Sequence, residues 1–358
     1  MAPSTMRPIA FEIAGETIPA GERRNLAIPV GRQLTGLAAS LSLQVLHGAR
    51  PGPCVFVSAA IHGDEINGIA IIQKLTQQLD PKDLCGTLIL APAVNIHGLA
   101  NHTRYLPDRR DLNRSFPGSA RGSMAAQLAH AFLENVIARS TLGIDLHTAG
   151  LHRYNLPQIR IAADNPYLVE LAMAFGAPVI VESPLRDGSM RELAHQRGTP
   201  MLLFEAGEAL RFDRLSIDIG AQGIARVLAH IGMIDADDGL TSPGIPARAN
   251  RSSWVRSPRG GITHRIRKSG DTVRAGEVLA TVTGLFGEEA MEMASPIDGI
   301  VIGHCTLPVV NQGDAVFHVA EVANLENAGE AIDTITDAIR VSEPGGVAQP
   351  LLDEDEVL

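Results

Sequence analysis

A chain of 358 residues with 45% hydrophobic and 20% charged residues reads as a globular protein long enough for more than one core. Its net charge of −10 and 4% aromatic content, with one Trp and three Tyr, argue against a polyanionic partner and a base-stacking surface, so no nucleic acid is expected. Cys54, Cys85 and Cys305 form neither a C-x-x-C pair nor a disulfide framework, which points to a reducing compartment. The opening MAPSTMRPIAFEIAGE has no apolar run after a basic start, and no stretch nears about 18 uninterrupted apolar residues. Neither a leader nor a membrane partner is therefore expected, and the expected location is cytoplasmic.

Residues 24–47 alternate in short apolar pieces and predict strands of a hairpin or sheet edge. From Pro53 the pattern becomes strand–helix alternation. An apolar run ending at Ile61 predicts a strand, and Ile66, Ile69, Ala70, Ile72 and Leu75 form the stripe of a following helix. GTLILAPAVN (86–95) reads as a strand, SMAAQLAHAFLENVIARS (123–140) as a helix and STLGIDLHT (140–148) as a strand. PYLVELAMAFGA (166–177) reads as a helix, and PVIVES and TPMLLFEAGE as two more strands. This alternation predicts an α/β domain over 1–240 with a largely parallel or mixed sheet. Asp, Pro, Gly, Ser and Arg crowd residues 235–260, which marks a domain connection. Gly-punctuated short strands over 255–322 predict a smaller all-β domain. Residues 326–358 hold nine acids against Arg340 alone, so 323–358 read as a solvated acidic tail, partly disordered.

Functional groups in an α/β sheet gather at the carboxyl ends of the strands. Four predicted strands end in ionisable residues: His62/Glu65, Asn95/His97, Asp145/His147 and Glu205/Glu208. Two imidazoles and a carboxylate suit zinc, which in enzymes takes three protein ligands and keeps one position open. His62 at a strand end, Glu65 on the first helical turn and His147 on a neighbouring strand can supply them. A short H-x-x-E alone serves a polar turn as readily, and spacing leaves both readings open. Asp145, on the same strand face as His147, either orients that imidazole or is a buried hydrogen-bond partner. Asp64 reads as a helix N-terminal residue, and His97 and His102 as structural or exposed loop residues.

His62-Gly63-Asp64-Glu65, Asp111-Leu112-Asn113-Arg114-Ser115-Phe116-Pro117-Gly118, Asp145-Leu146-His147-Thr148 and Glu205-Ala206-Gly207-Glu208 occur in that order. Together, over roughly residues 40–320, they resemble the succinylglutamate desuccinylase/aspartoacylase family, a relative of the zinc carboxypeptidases. The resemblance implies a zinc carboxypeptidase-like mixed-sheet catalytic domain and a smaller C-terminal β-domain. It implies one Zn2+ per chain on His62, Glu65 and His147, with Glu205 as general base. Asn113 and Arg114 match the pair that grips a substrate carboxylate, and Arg104 the arginine that polarises the scissile carbonyl. The segment between Arg104 and Arg114 is two residues longer than in the aspartoacylases, which keeps Arg109 and Arg110 as alternatives. Arg191 matches a further substrate-binding arginine, with a different spacing to Glu205.

Amide hydrolysis needs these residue types. Zinc acidifies water and polarises a carbonyl, a carboxylate shuttles the proton to the departing amine, and a guanidinium steadies the oxyanion. In the C-terminal part, SGDTVRAGEVLATV, EEAMEMASPIDGI and NQGDAVFHV resemble biotinyl/lipoyl-like β-domains. Glu292, between Met291 and Met293, stands where a biotin carrier has its acceptor lysine. It cannot form that amide, so the domain is expected to frame the pocket. The expected protein is a zinc-dependent amidohydrolase of small N-acylated amino acids, acting as a homo-oligomer. The alternatives are a metallocarboxypeptidase acting on peptides and a non-catalytic binding module, the latter disfavoured because a vestigial site has no need of Glu205.

Overall fold

The computed structural model describes residues 9–32, 36, 38–162, 165–236, 240 and 244–341. A short hairpin (β1, Phe11–Ile13; β2, Glu16–Ile18) precedes β3 (Glu22–Arg32) and β4 (Ala38–His47). There follow β5 (Arg50–Ala59), α1 (Asn67–Gln78), β6 (Cys85–Ala91), α2 (Ile96–Ala100), α3 (Met124–Asn135), β7 (Leu142–Ala149) and β8 (Arg153–Ile161). Next come α4 (Pro166–Phe175), β9 (Val179–Glu182), α5 (Met190–Gln196), β10 (Met201–Glu208) and α6 (Arg214–His230). The C-terminal part holds β11 (Ala247–Ala249), β12 (Ser252–Arg256), β13 (Gly261–Arg265), β14 (Thr272–Val273) and β15 (Val278–Thr283). It ends with β16 (Met291–Ala294), β17 (Gly299–Cys305), β18 (Val309–Val310), β19 (Ala315–Glu321) and α7 (Leu325–Val341).

Among the described residues, one thirteen-stranded sheet carries the path β12-β19-β17-β8-β10-β7-β5-β6-β4-β3. Its centre is parallel, from β10 through β7 and β5 to β6. β8 joins β10 antiparallel, and β3 and β4 form an antiparallel pair beyond β6. Alternating side chains of β5 serve two layers: Val55 and Val57 pack with Ile71 and Leu75 of α1, Leu171 of α4 and Val227 of α6. Phe56 instead packs with Leu128 and Phe132 of α3 and Met190 of α5. β7 is buried along its whole length, as a strand covered on both faces must be. Gly143 makes room there, since a Cβ would stand 2.3 Å from the Phe56 ring. The ends of α4 follow local chemistry: Asn165 caps the first turn, Pro166 opens it, and Gly176 closes it at φ 71°. No described helix is long and apolar enough to cross a membrane.

The fold is thus mixed α/β with C-terminal antiparallel β-structure, as expected. The C-terminal strands do not stand apart from the large sheet, however. β17 pairs with β8, aligning Gly303 with Asn155 and Cys305 with Arg153. The four-stranded sheet β16-β15-β13-β18 closes over this extension, with Val255, Leu279, Val282, Val301 and Phe317 in the shared core. The stretch read as a connection contains β11, paired with β9, and β12, paired with β19; residues 237–239 and 241–243 lie outside the described residues.

The acidic tail reading is corrected over Leu325–Val341, which is helical. Ala328 and Ile332 pack with Leu156 and Ile300, and Ile335 joins the core around α6. Glu326, Glu330, Asp333 and Asp337 are exposed, so the charge count concealed an apolar stripe at helical spacing. Residues 342–358, with LLDEDEVL, lie outside the described residues.

Candidate active site

Three adjacent parallel strands bring the candidate residues together. β7 and β10 align His147 with Glu205, and β5 and β7 align Ala59 with Leu146. Just past β5, Ala60 takes φ 49°, in the left-handed region that side chains disfavour, and the chain leaves the sheet toward His62. Gly63 seats this turn against α2, because a Cβ there would overlap the Gly98 backbone. The Glu65 N–H donates to the His62 carbonyl at 3.1 Å, and α1 starts at Asn67. Glu65 therefore lies in the turn before the helix, not on its first turn as expected. The turn is what swings its carboxylate between two imidazoles.

Glu65 Oε1 lies 2.7 Å from His62 Nδ1, and Oε2 lies 2.8 Å from His147 Nδ1. The three side chains are buried, and their ligand atoms fall within 4.8 Å of one another. The far nitrogens also meet carboxylates. His147 Nε2 is 2.8 Å from Asp145 Oδ2, and Ser58 Oγ donates to Asp145 Oδ1 at 2.7 Å. His62 Nε2 is 3.3 Å from Asp111 Oδ1 but lacks hydrogen-bond geometry. Burial opposes charge on both imidazoles, yet Glu65 with Asp111 raises the His62 pKa, and Asp145 with Glu65 raises that of His147 well above its ordinary value. Burial likewise opposes the Glu65 anion, but the two imidazoles hold its pKa below the usual carboxylate range. Two Nδ1 donors and one carboxylate, with Asp145 fixing the His147 ring, form a donor set that fits zinc.

These residues border a cleft of about 330 Å3, which Arg104, Asn113, Arg114, Arg191 and Glu205 also line. Arg104 Nη1 donates to Glu65 Oε1 at 3.2 Å and Nη2 to Asp111 Oδ2 at 3.0 Å. Arg109 and Arg110 do not line this cleft; Arg110 is exposed beside Asp108. Asn113 and Arg114 share the 3-10 turn Leu112–Arg114, capped by Asp111, whose Oδ1 accepts from the Asn113 N–H at 2.9 Å. Asn113 Oδ1 accepts from the Met190 N–H at 2.9 Å, which ties the turn to α5, while the Arg114 side chain is exposed to the cleft. Arg191 braces the 183–184 loop, donating to Ser183 Oγ at 3.1 Å and to the Pro184 carbonyl at 2.7 Å. Burial first, then Arg160, lowers its pKa to about 10. Glu205 Oε2 accepts from Asn155 Nδ2 at 2.8 Å, and Oε1 lies 3.9 Å from Arg160 Nε.

Asp111, Asn155, Arg160 and Trp254 are among the cleft-associated residues that escaped the sequence reading. Asp111 was visible at the head of the Asp-Leu-Asn-Arg motif, and its position before a turn could have marked it as a cap. Asn155 and Arg160 lie on β8, where Pro157 interrupts the strand signal. Trp254 lies on β12; its ring stacks on His318 with centroids 4.2 Å apart, and the Arg153 guanidinium is 5.7 Å from its centroid.

Known proteins resemble this chain over most of its length. The profile of the succinylglutamate desuccinylase/aspartoacylase catalytic domain matches residues 51–231. The N-alpha-acetyl-L-2,4-diaminobutyric acid deacetylase of Halomonas elongata is 30% identical over 285 residues, 76% of this chain and 83% of that protein. The crystal structure of a succinylglutamate desuccinylase/aspartoacylase from Rhodobacter sphaeroides superposes with a TM-score of 0.73 at 30% identity, covering 84% of this chain and 96% of that one. The product-bound ectoine utilization protein EutE (DoeB) of Ruegeria pomeroyi shares the fold, with a TM-score of 0.76 at 24% identity over 85% of this chain and 98% of its own. By its profile match and its relative, this chain belongs to the succinylglutamate desuccinylase/aspartoacylase family.

Proposed function

We propose that this chain is a zinc-dependent hydrolase that cleaves the amide bond of a small N-acylated amino acid. The observation that carries the reading is the convergence of buried His62, Glu65 and His147 in one arginine-lined cleft with Glu205. Membership of a family that includes an N-acetyl amino acid deacetylase supports it. His62, Glu65 and His147 would hold the ion, and Asp145 keeps the His147 ring in place. Zinc supplies Lewis-acid activation of water and of the scissile carbonyl.

The chain's own residues then divide the work. Glu205 takes the proton of the attacking water and passes it to the departing amine nitrogen. Arg104, kept positive by Glu65 and Asp111 despite its burial, faces the oxygen that gains charge. Arg114 offers a charge-assisted grip on a substrate carboxylate, and Asn113 shapes the turn that presents it. Arg153, Arg160 and Arg186 also line the cleft, whose carboxylates are Glu65 and Glu205, which suits an anionic substrate. Three free cysteines fit a reducing cytoplasm.

The test is hydrolysis of a panel of N-acetyl and N-succinyl amino acids by the zinc-loaded protein, alongside Glu205→Gln. The expected result is cleavage of at least one member, with kcat lowered roughly 10²–10⁴-fold in Glu205→Gln and zinc content unchanged. A panel left intact, or a Glu205→Gln variant near the wild-type rate, overturns the reading.

A further inference from the structure

We propose that Asn155 is a positioning residue for Glu205, and that the C-terminal β-structure seats it through Gly303. The inference rests on the reading of Glu205 as general base. Asn155 lies on β8 between two neighbours, aligned with Gly207 of β10 on one side and with Gly303 of β17 on the other. It is buried, and its Nδ2 donates to Glu205 Oε2 at 2.8 Å, closer than Arg160 approaches Oε1 at 3.9 Å. A carboxylate that must both take and release a proton needs a fixed direction, and a single neutral donor provides one without adding charge.

The seat comes from the other end of the chain. A Cβ on Gly303 would stand 2.9 Å from Asn155 Oδ1, with its next neighbours, the Tyr154 carbonyl oxygen and His318 Cβ, at 3.4 and 3.6 Å. The bare backbone of β17 thus leaves the Asn155 amide its place, and a methyl group there pushes chiefly on that amide. The end of a side chain can yield to this pressure, so Gly303→Ala is expected to fold and to pass its effect through Asn155 to Glu205. Gly303 does not line the cleft. The C-terminal strands therefore contribute to the alignment of the base as well as to the outline of the site.

The experiment measures kcat and KM for Asn155→Ala, Asn155→Asp, Gly303→Ala, the Gly303→Ala/Asn155→Ala double variant and Glu205→Gln. N-acetyl-L-aspartate and N-α-acetyl-L-2,4-diaminobutyrate serve as probes, and zinc content and melting temperature are followed in parallel. Asn155→Ala is expected to lower kcat roughly 10-fold, the effect of one hydrogen bond to a charged group, with KM and zinc content little changed. Asn155→Asp, equal in shape but turning an oxygen toward Glu205, falls further than Asn155→Ala; a residue that merely fills space gives the opposite order. Gly303→Ala lowers kcat about 3-fold or more alone and adds nothing in the Asn155→Ala background. Crystal structures of the Ala variants give a reading independent of activity, with the Glu205 carboxylate turned away from its present direction. An inactive Glu205→Gln beside an Asn155→Ala of wild-type kcat overturns the positioning role alone. A Glu205→Gln of wild-type kcat overturns the base itself, and an unmoved Glu205 carboxylate in both structures overturns the inference whatever the rates.

Discussion

At the scale of single residues, Asp111 shows how few side chains organise the cleft. Its carboxylate caps the turn that carries Asn113 and Arg114, pairs with Arg104 at 3.0 Å and faces His62 at 3.3 Å. Burial opposes its ionisation, but the His62 contact and Arg104 hold its pKa below the usual range. The three donor residues are more exacting, because both imidazoles bond to the Glu65 carboxylate and Asp145 holds the far nitrogen of His147. Removing one leaves a buried carboxylate without its partner and leaves two ligands where a site needs three. Metal analysis of chelator-free protein is expected to give roughly one equivalent of zinc, and His147→Ala is accordingly expected to lose most of it. Full metal content in that variant would mean that the ion sits elsewhere. Arg114 is exposed to the cleft and its Nη1 donates to the neighbouring Asn113 carbonyl, which a substrate carboxylate can replace, so its replacement should be felt chiefly in recognition. Arg114→Ala is expected to raise KM by about 10-fold or more for substrates with a free carboxylate and much less for their esters, with melting temperature unchanged. Equal losses on both substrate types would assign Arg114 to structure.

At the scale of elements, His318 on β19 carries a stability consequence. Its ring stacks on Trp254 and its Nε2 lies 2.9 Å from Ser252 Oγ. Burial, then Arg160, lowers its pKa to about 3. The native state keeps this imidazole neutral while the unfolded chain protonates it near its ordinary value of about 6.5. The unfolded state therefore binds the extra proton, so the stabilisation is whole above that value and is lost as pH falls from there toward 3. His318→Phe, which keeps an aromatic face on Trp254, is expected to flatten the fall of melting temperature between pH 6 and 4. An unchanged slope would show that His318 is accessible to protons in the native state. The same elements show what was legible in the sequence. The long runs around Val55, Leu88 and Ile144 announced β5, β6 and β7, because strands covered on both faces are apolar throughout. Strand-end histidines and carboxylates marked His62, Glu65, His147 and Glu205 as candidates, and the structure puts them around one cleft. β8 stayed hidden because Pro157 breaks its pattern, and Asn155 and Arg160 with it. α7 stayed hidden because exposed acids outnumber its few buried contacts, and Trp254 because its short strand lies within polar sequence.

At the scale of the whole molecule, the question is whether the cleft admits a peptide or only a short acyl group. A carboxypeptidase needs an open groove so that a long chain can extend away from the reacting bond. Here the cleft measures about 330 Å3, at the small end of small-molecule sites. Trp254, from the C-terminal strands, lines it, with Arg153 of β8 set beside the ring. Those strands are joined to the central sheet by the β8–β17 ladder and are backed by the core around Val301 and Phe317, so their placement is part of the packed structure. The full chain is therefore expected to cleave N-acetyl or N-succinyl amino acids and to leave the C-terminal residue of a blocked pentapeptide in place. Trp254→Ala removes an aromatic wall 41% exposed, and it should admit bulkier acyl groups, seen as a fall of about 5-fold or more in KM for N-benzoyl relative to N-acetyl substrates. Efficient release of C-terminal residues from long peptides by the intact chain would overturn this account and favour the carboxypeptidase alternative. An unchanged acyl preference in Trp254→Ala would move the size limit away from the C-terminal strands and onto the 183–191 segment, where Pro184 and Arg186 line the same cleft.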